Sequence, residues 1–119
     1  MKCSTMLMVA SLVLAPVTAL AHAHLDRAEP AASTSVTAAP KEVTLWFTEA
    51  VEPRFSSIVV QDAKGKPVHD GKASGAPDNT AVLKVKLRTL PPGAYKVMWK
   101  VLSVDTHRTQ GTFSFTVGP

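Results

Sequence analysis

The stretch YKVMWKV at residues 95–101 decides the fold, because apolar side chains recur in it at every second position. Tyr95 and Val101 mark the ends of the apolar row, and Lys96 and Lys100 lie between its members. Side chains of an extended chain point alternately to its two faces, so this period of two is typical of a β-strand with one buried face. The same alternation predicts strands at 43–47, 81–87 and 113–117, and the apolar run SIVVQ at 57–61 predicts another.

Stretches rich in turn-forming residues separate these strands. They are DAKGKP at 62–67, GKASGAPDN at 71–79 and PPG at 91–93. Gly, Pro, Asp and Asn favour reversal of the chain, and no segment after residue 24 shows the 3.6-residue period of an amphipathic helix. The pattern therefore predicts one all-β domain, an immunoglobulin-like Greek-key sandwich or barrel of about seven strands.

The N-terminal residues have the layout of a cleaved secretory signal peptide. An almost uninterrupted apolar run, Met6–Ala21, leads to small residues at Ala21 and Ala23. We expect a signal peptide at 1–23 and a domain at 24–119, which would make His24 the first residue of the exported protein. A cut after Ala21 also fits the small-residue rule and would place His22 first. An uncleaved membrane anchor is the alternative, but the run is short for a membrane span.

Cysteine use and charge exclude several kinds of function. The one cysteine, Cys3, lies in the predicted signal peptide, so the domain has neither a disulfide nor a thiolate ligand. The chain has 13 Lys and Arg against 9 Asp and Glu. Its lysines are spread over alternating strand positions rather than clustered with stacking aromatics, which argues against nucleic-acid binding.

Two short stretches carry residues that suit a metal ion. A first-residue His24 would offer its amine and its Nδ1 to one ion in a single chelate ring. Asp105-Thr106-His107, on extended backbone, would project a carboxylate and an imidazole to the same side. Nitrogen and oxygen ligands in a tetragonal plane are the set that Cu(II) prefers. The alternatives are an incidental N-terminal histidine and a polar hairpin loop with a solvated His107.

The other polar residues are weaker candidates. Glu49 follows a predicted strand and could orient a metal ligand by accepting its hydrogen bond, or it could be a surface carboxylate. His69 lies in a stretch rich in Lys, Asp and Gly, and we expect it to be exposed and without a role. No glycine-rich phosphate loop and no Ser-His-Asp or Cys-His arrangement is present in the sequence.

Several motifs together resemble one family. AHAHL at 21–25, PKEVTLWFTE at 40–49, PPGAYKVMWKVLSVDTH at 91–107 and GTFSFTV at 111–117 are similar, in order and spacing, to the CopC copper-resistance family. The combination of an N-terminal histidine with S-x-D-x-H before the last strand is the specific part of the resemblance.

The resemblance implies a periplasmic sandwich that binds Cu(II) and is not an enzyme. It implies that His24, through its amine and imidazole, and Asp105 and His107 are the copper ligands, with Glu49 in support or as a weak ligand. It also implies a partner, an inner-membrane copper transporter of the CopD type, with which members of the family act or to which they are fused. We expect the protein itself to be a monomer. Copper resistance or homeostasis is the function expected on this ground.

One departure from a branch of the family narrows the chemistry. Those members carry a methionine-rich loop for Cu(I), whereas Met98 is the one methionine after the predicted signal peptide. One thioether does not make a soft-ligand site, which favours a protein for Cu(II) alone. Two other classes stay open: a copper monooxygenase with an N-terminal histidine brace, and a metal-free immunoglobulin-like interaction module.

Overall fold

Eight β-strands make up the part of the chain that the computed structural model describes, which is Ala10 and residues 23–119. Most of the predicted signal peptide lies outside the described residues. The strands are β1 (Leu25–Glu29), β2 (Ser35–Val36), β3 (Glu42–Phe47), β4 (Ser57–Asp62), β5 (His69–Ala76), β6 (Asn79–Leu87), β7 (Gly93–Leu102) and β8 (Arg108–Val117), with a short 3-10 turn at Pro53–Phe55. Among these residues there is no helix of the length and hydrophobicity needed to cross a membrane.

The strands form two four-stranded sheets that face each other. One sheet has the order β1-β3-β6-β5 and the other the order β2-β8-β7-β4. Neighbouring strands run antiparallel except for β2, which pairs parallel with β8. This arrangement confirms the predicted all-β sandwich.

The core lies between the sheets and is built from the alternating apolar rows. In one sheet Leu45 of β3 pairs with Leu83 of β6, and both are fully buried. In the other sheet Trp99 of β7 meets Phe47 edge-on across the core, with ring centroids 5.2 Å apart. Burying each large apolar side chain contributes about 1.5–3 kcal/mol, so the two inward rows account for the fold without any disulfide.

A tyrosine fixes the loop that leads into β7. The hydroxyl of buried Tyr95 donates a hydrogen bond to the carbonyl oxygen of Pro91, four residues upstream, and its ring stacks on Phe115 at 5.5 Å. Such a tyrosine corner is a feature of immunoglobulin-like sandwiches. Burial raises the pKa of Tyr95, with Asp62 contributing in the same direction.

The strand β5 corrects two expectations. Residues 71–76 were expected to be turn, but they continue a strand that pairs with β6, and the turn is confined to Pro77 and Asp78. His69 is not an exposed loop residue, because it is half-buried as the first residue of β5. Its Nδ1 lies 3.2 Å from the backbone nitrogen of Val60 and can accept a hydrogen bond from it. This contact joins the edge strands of the two sheets, β5 and β4. His69 therefore has a structural role.

Candidate functional site

Two loops that are far apart in sequence are joined by backbone hydrogen bonds at one end of the sandwich. Between β3 and β4, Ala50 accepts the N–H of Val104 at 3.1 Å, and Glu52 donates to the Leu102 carbonyl at 2.8 Å. An isolated β-bridge links Val51 with Ser103. The β3–β4 loop is thereby fixed against the turn that connects β7 to β8.

The residues that precede β1 join this same end. His24 donates its N–H to the Thr48 hydroxyl at 2.9 Å, and its carbonyl accepts the Thr48 N–H at 2.8 Å. The hydroxyl of Thr109, at the start of β8, donates to the Ala23 carbonyl at 2.7 Å. Ala23 is completely buried, whereas His24 is exposed. The segment 23–24 is therefore held between the end of β3 and the start of β8. Its hydrogen-bond partner in β8, Thr109, follows His107 by two residues in the sequence.

Asp105 and His107 come together through a tight turn, and not through the extended backbone that we expected. Thr106 has φ 71°, a left-handed conformation that is rare for a β-branched residue. Two backbone hydrogen bonds close the turn: Ser103 N–H donates to the His107 carbonyl at 2.9 Å, and Thr106 N–H donates to the Ser103 carbonyl at 2.9 Å. In this turn the Asp105 Oδ2 lies 3.3 Å from the His107 Nδ1.

Ser103 organises the turn from inside, a role that sequence reasoning missed. It is 1% exposed, its hydroxyl donates to the Asp105 Oδ1, and the same oxygen accepts the His107 N–H at 3.2 Å. A buried hydroxyl that both donates and accepts restricts the positions of the two residues it binds. The serine of the S-x-D-x-H motif was visible in the sequence, but no local pattern indicated its burial.

The same contacts favour the ionised form of the Asp105 carboxyl. The hydrogen bond from Ser103 is the largest cause that lowers the pKa of the Asp105 carboxyl, and the hydrogen bonds and charge of His107 lower it further. Asp105 is therefore anionic at neutral pH. The side chains are partly open to solvent, 37% exposed for His107 and 40% for Asp105. An anionic oxygen and an imidazole, held together at the surface, are donors that suit a divalent copper ion.

The remaining predicted residues, His24 and Glu49, lie on segments that are hydrogen-bonded to this end of the domain, but they form no closed cluster with the pair. Within 23–119 the structure has no group of three or more His, Cys, Asp or Glu side chains placed to hold a metal ion. Glu49 is half-buried and precedes Ala50, which binds the turn through Val104. His24 lies on the adjoining N-terminal segment. The structure thus brings Asp105 and His107 into contact and places the segments of His24 and Glu49 beside them.

Comparison with known proteins identifies the family. Residues 25–118 match the CopC domain. Protein YobA of Escherichia coli K12 is 42% identical over 98 residues, which cover 82% of this chain and 79% of that protein. Copper resistance protein C of Escherichia coli is 32% identical over 106 residues, 83% of each chain. Copper transport protein CutJ of Bacillus subtilis is 33% identical over 108 residues, 90% of this chain but 20% of CutJ.

Solved structures agree with these matches. CopC from Methylosinus trichosporium OB3b superposes with a TM-score of 0.78 and 41% identity, covering 82% of this chain and 95% of that one. PcoC from Escherichia coli, a methionine-rich copper resistance protein, gives 0.72 and 32% identity over 82% of this chain and 99% of that one. On both sequence and fold, the chain belongs to the CopC family and has a copper-related function.

Proposed function

We propose that this protein is a periplasmic Cu(II)-binding protein that buffers copper or hands it to an inner-membrane transporter of the CopD type. The observation that carries the proposal is the contact between Asp105 and His107 at the end of the domain that also holds the N-terminal segment. The pair supplies one oxygen and one nitrogen. The amine and imidazole of an N-terminal histidine would complete a nitrogen-rich tetragonal set.

The burial of Ala23 bears on which histidine carries the amine. A cut after Ala23 would remove a fully buried side chain and the carbonyl that accepts the Thr109 hydroxyl. A cut after Ala21 would keep both, and buried polar groups are rarely left without a partner. This supports a signal peptide of residues 1–21 over the expected 1–23. His22, which lies outside the described residues, would then supply the amine, and His24 would be the third residue.

The intact mass of the exported protein distinguishes the two starts. Cu(II) titration then identifies the ligands, because the histidine that carries the amine makes a chelate and should matter more than its neighbour. With a start at His22, we expect His22→Ala to lower affinity by roughly a hundredfold or more, about 2.7 kcal/mol or more, and His24→Ala to have a smaller effect. A start at His24, together with a larger loss of affinity for His24→Ala, would instead show that His24 carries the amine and is the ligand.

The other ligands are tested in the same titration. His107→Ala should weaken Cu(II) binding strongly and Asp105→Ala less strongly. His69→Ala is the matched control, since His69 is a half-buried histidine in β5, where it contacts Val60. An equal loss from His69→Ala would show that the ligand assignment is wrong.

A one-residue extension tests the role of the amine without changing any side chain. A glycine added before the first residue replaces the histidine amine by an amide nitrogen, which is a poor ligand until it is ionised. Affinity should fall by several powers of ten, each worth about 1.4 kcal/mol, while the unfolding free energy changes little. Unchanged affinity and an unchanged Cu(II) spectrum in the extended protein would refute the chelate.

The assignment to Cu(II) and not Cu(I) rests on the ligands present. Met98 is the only sulfur-containing residue in 23–119, and it is half-buried on the outward face of β7. Soft Cu(I) prefers thioether and thiolate ligands, so we expect weak Cu(I) binding. A tight Cu(I) complex that survives His107→Ala would contradict this. Glu49, through its position beside Ala50, is proposed to support the turn of Asp105 and His107.

A further inference from the structure

Two grooves meet along the strand β4. The first, of about 490 Å³, lies on the outer face of the β8-β7-β4 sheet. The second, of about 820 Å³, lies between β4 and β5 beside the 3-10 turn. Ser57 and Val59 of β4 line both grooves, so the two form one continuous concave surface, which we call the β4 surface.

The β4 surface carries positive charge without any carboxylate. Lys100 lines the first groove, and Arg54 and Lys72 line the second, whereas no Asp or Glu lines either of them. Lys96 extends the row of Lys100 along β7, because side chains two or four residues apart in a strand share a face. The β4 surface therefore has a positive potential that attracts an acidic partner.

The outward residues of β8 continue this surface toward the end that holds the candidate site. Gln110 and Thr112 line the first groove, and Arg108 is the next outward residue of the same strand. Arg108 directly follows His107. A partner bound on the β4 surface would therefore reach the neighbourhood of Asp105 and His107.

The shape and the apolar residues of the grooves favour a polypeptide over a membrane. Val59, Met98 and Ala73 are half-buried where the grooves meet the sheets, and Phe55, 58% exposed, stands beside Arg54. A planar bilayer surface does not fill a concave groove. A chain segment with alternating acidic and apolar side chains can do so, because its acidic side chains can contact the cations while its apolar side chains contact the apolar residues.

We propose that the β4 surface is a docking site for an acidic polypeptide segment that also carries apolar residues. Electrostatic complementarity would speed the encounter and orient the partner, while the apolar contacts hold it. The proposal does not depend on copper binding, since the residues of the β4 surface are not the proposed ligands. Failure of one proposal therefore leaves the other intact.

A labelled ten-residue peptide of alternating glutamate and valine is the probe. It is titrated into the metal-free protein and followed by fluorescence anisotropy and by amide NMR shifts, with a peptide of alternating lysine and valine as the reverse-charge control. We expect binding of the acidic peptide alone, with shifts at Ser57, Val59 and Lys100. The affinity should fall as salt rises, because exposed charges are screened.

Charge-reversal variants locate the site. The double variant Arg54→Glu/Lys100→Glu should weaken binding about tenfold or more. Lys64→Glu/Lys66→Glu makes the same change of charge in the β4–β5 turn, outside both grooves, and should change affinity less than twofold. Circular dichroism checks that both variants are folded.

Three results would overturn the proposal. One is the absence of binding and of NMR shifts up to about 1 mM acidic peptide. A second is an equal loss in the two double variants, which would indicate attraction to net charge alone. The third is binding to phosphatidylglycerol vesicles that depends on Arg54 and Lys100 while peptide binding does not, which would assign the β4 surface to a membrane.

Discussion

The replacement Ser103→Ala tests the organisation of the candidate site at a residue that is not itself a proposed ligand. The variant keeps the Cβ of the side chain and removes only the hydroxyl. Asp105 then loses the hydrogen bond from Ser103, and the His107 N–H loses its acceptor. The backbone hydrogen bonds that close the turn do not involve the hydroxyl and can remain.

The expected loss of stability follows from the burial of Ser103. The residue is 1% exposed, so water cannot readily replace the lost hydroxyl beside the His107 N–H. Leaving a buried polar group without its partner costs about 1–3 kcal/mol, and we expect a loss of about 2 kcal/mol in the free energy of unfolding. Urea denaturation followed by tryptophan fluorescence measures it.

A second readout separates a local effect on the site from a general loss of stability. The Ser103 hydroxyl lowers the pKa of Asp105, so Ser103→Ala should raise that pKa toward its ordinary value. In the wild type, stabilisation from the lowered pKa is present above about pH 4, where the unfolded carboxyl is ionised, and is lost as pH falls through the folded pKa. The gap in stability between variant and wild type should therefore narrow on acidification below pH 4. NMR titration of Asp105 gives the pKa directly.

Ser56→Ala is the matched control. The Ser56 hydroxyl donates to the Glu52 carbonyl at 2.7 Å and accepts the Leu102 N–H at 3.1 Å, at the same end of the domain. It does not contact Asp105, so this variant should lose stability without raising the Asp105 pKa. Cu(II) affinity should fall more for Ser103→Ala than for Ser56→Ala. An unchanged Asp105 pKa in Ser103→Ala, or equal effects of both variants on copper, would refute the role assigned to Ser103.

Three further predictions concern single residues. Tyr95→Phe should abolish the part of the stability loss above about pH 10 that comes from this tyrosine, since burial raises the Tyr95 pKa and the tyrosine therefore ionises first in the unfolded state; alkaline denaturation curves show it. Gly111→Ala should destabilise by about 1–3 kcal/mol, because its Cβ would lie 2.5 Å from the Trp99 ring, whereas Gly118→Ala, with 3.5 Å to its nearest atom, should be nearly neutral in urea unfolding. Thr106→Gly should stabilise by about 1 kcal/mol, since glycine adopts a φ of 71° without strain; an unchanged melting midpoint would contradict this.

The strands that carry the core could be predicted because each is buried on one face only. In β7 and β8, apolar and polar residues alternate in the sequence as buried and more exposed positions alternate in the structure. The two strands pair along their whole length. The strand β5 could not be predicted, because Gly71, Ser74 and Gly75 favour turns and the register with β6 shifts between Asp70 and Ser74. Its conformation is decided by pairing with β6, which is a long-range effect that local propensity does not contain.

The family comparison confirms the resemblance to CopC, the copper-related function and the expectation that the protein is not an enzyme. The motifs were informative because they combined residues from both ends of the chain, AHAHL and S-x-D-x-H. Either alone could be an ordinary terminus or loop. The choice of Cu(II), the ligand set and the transporter stay predictions.

The geometry of the candidate site could not be predicted from the sequence, because it depends on hydrogen bonds between segments that are far apart in the chain. Ser103 fixes Asp105 and His107 from the core, the β3–β4 loop binds that turn through its backbone, and Thr109 holds the Ala23 carbonyl. The two proposed donors, Asp105 and His107, are thus already held together by the fold, so copper binding there would require little ordering of the turn. The proposed amine, in contrast, belongs to the first residue of the exported protein, and its position depends on where the signal peptide is cut. The position of the first residue, more than any contact inside the domain, should therefore determine how tightly the protein holds copper.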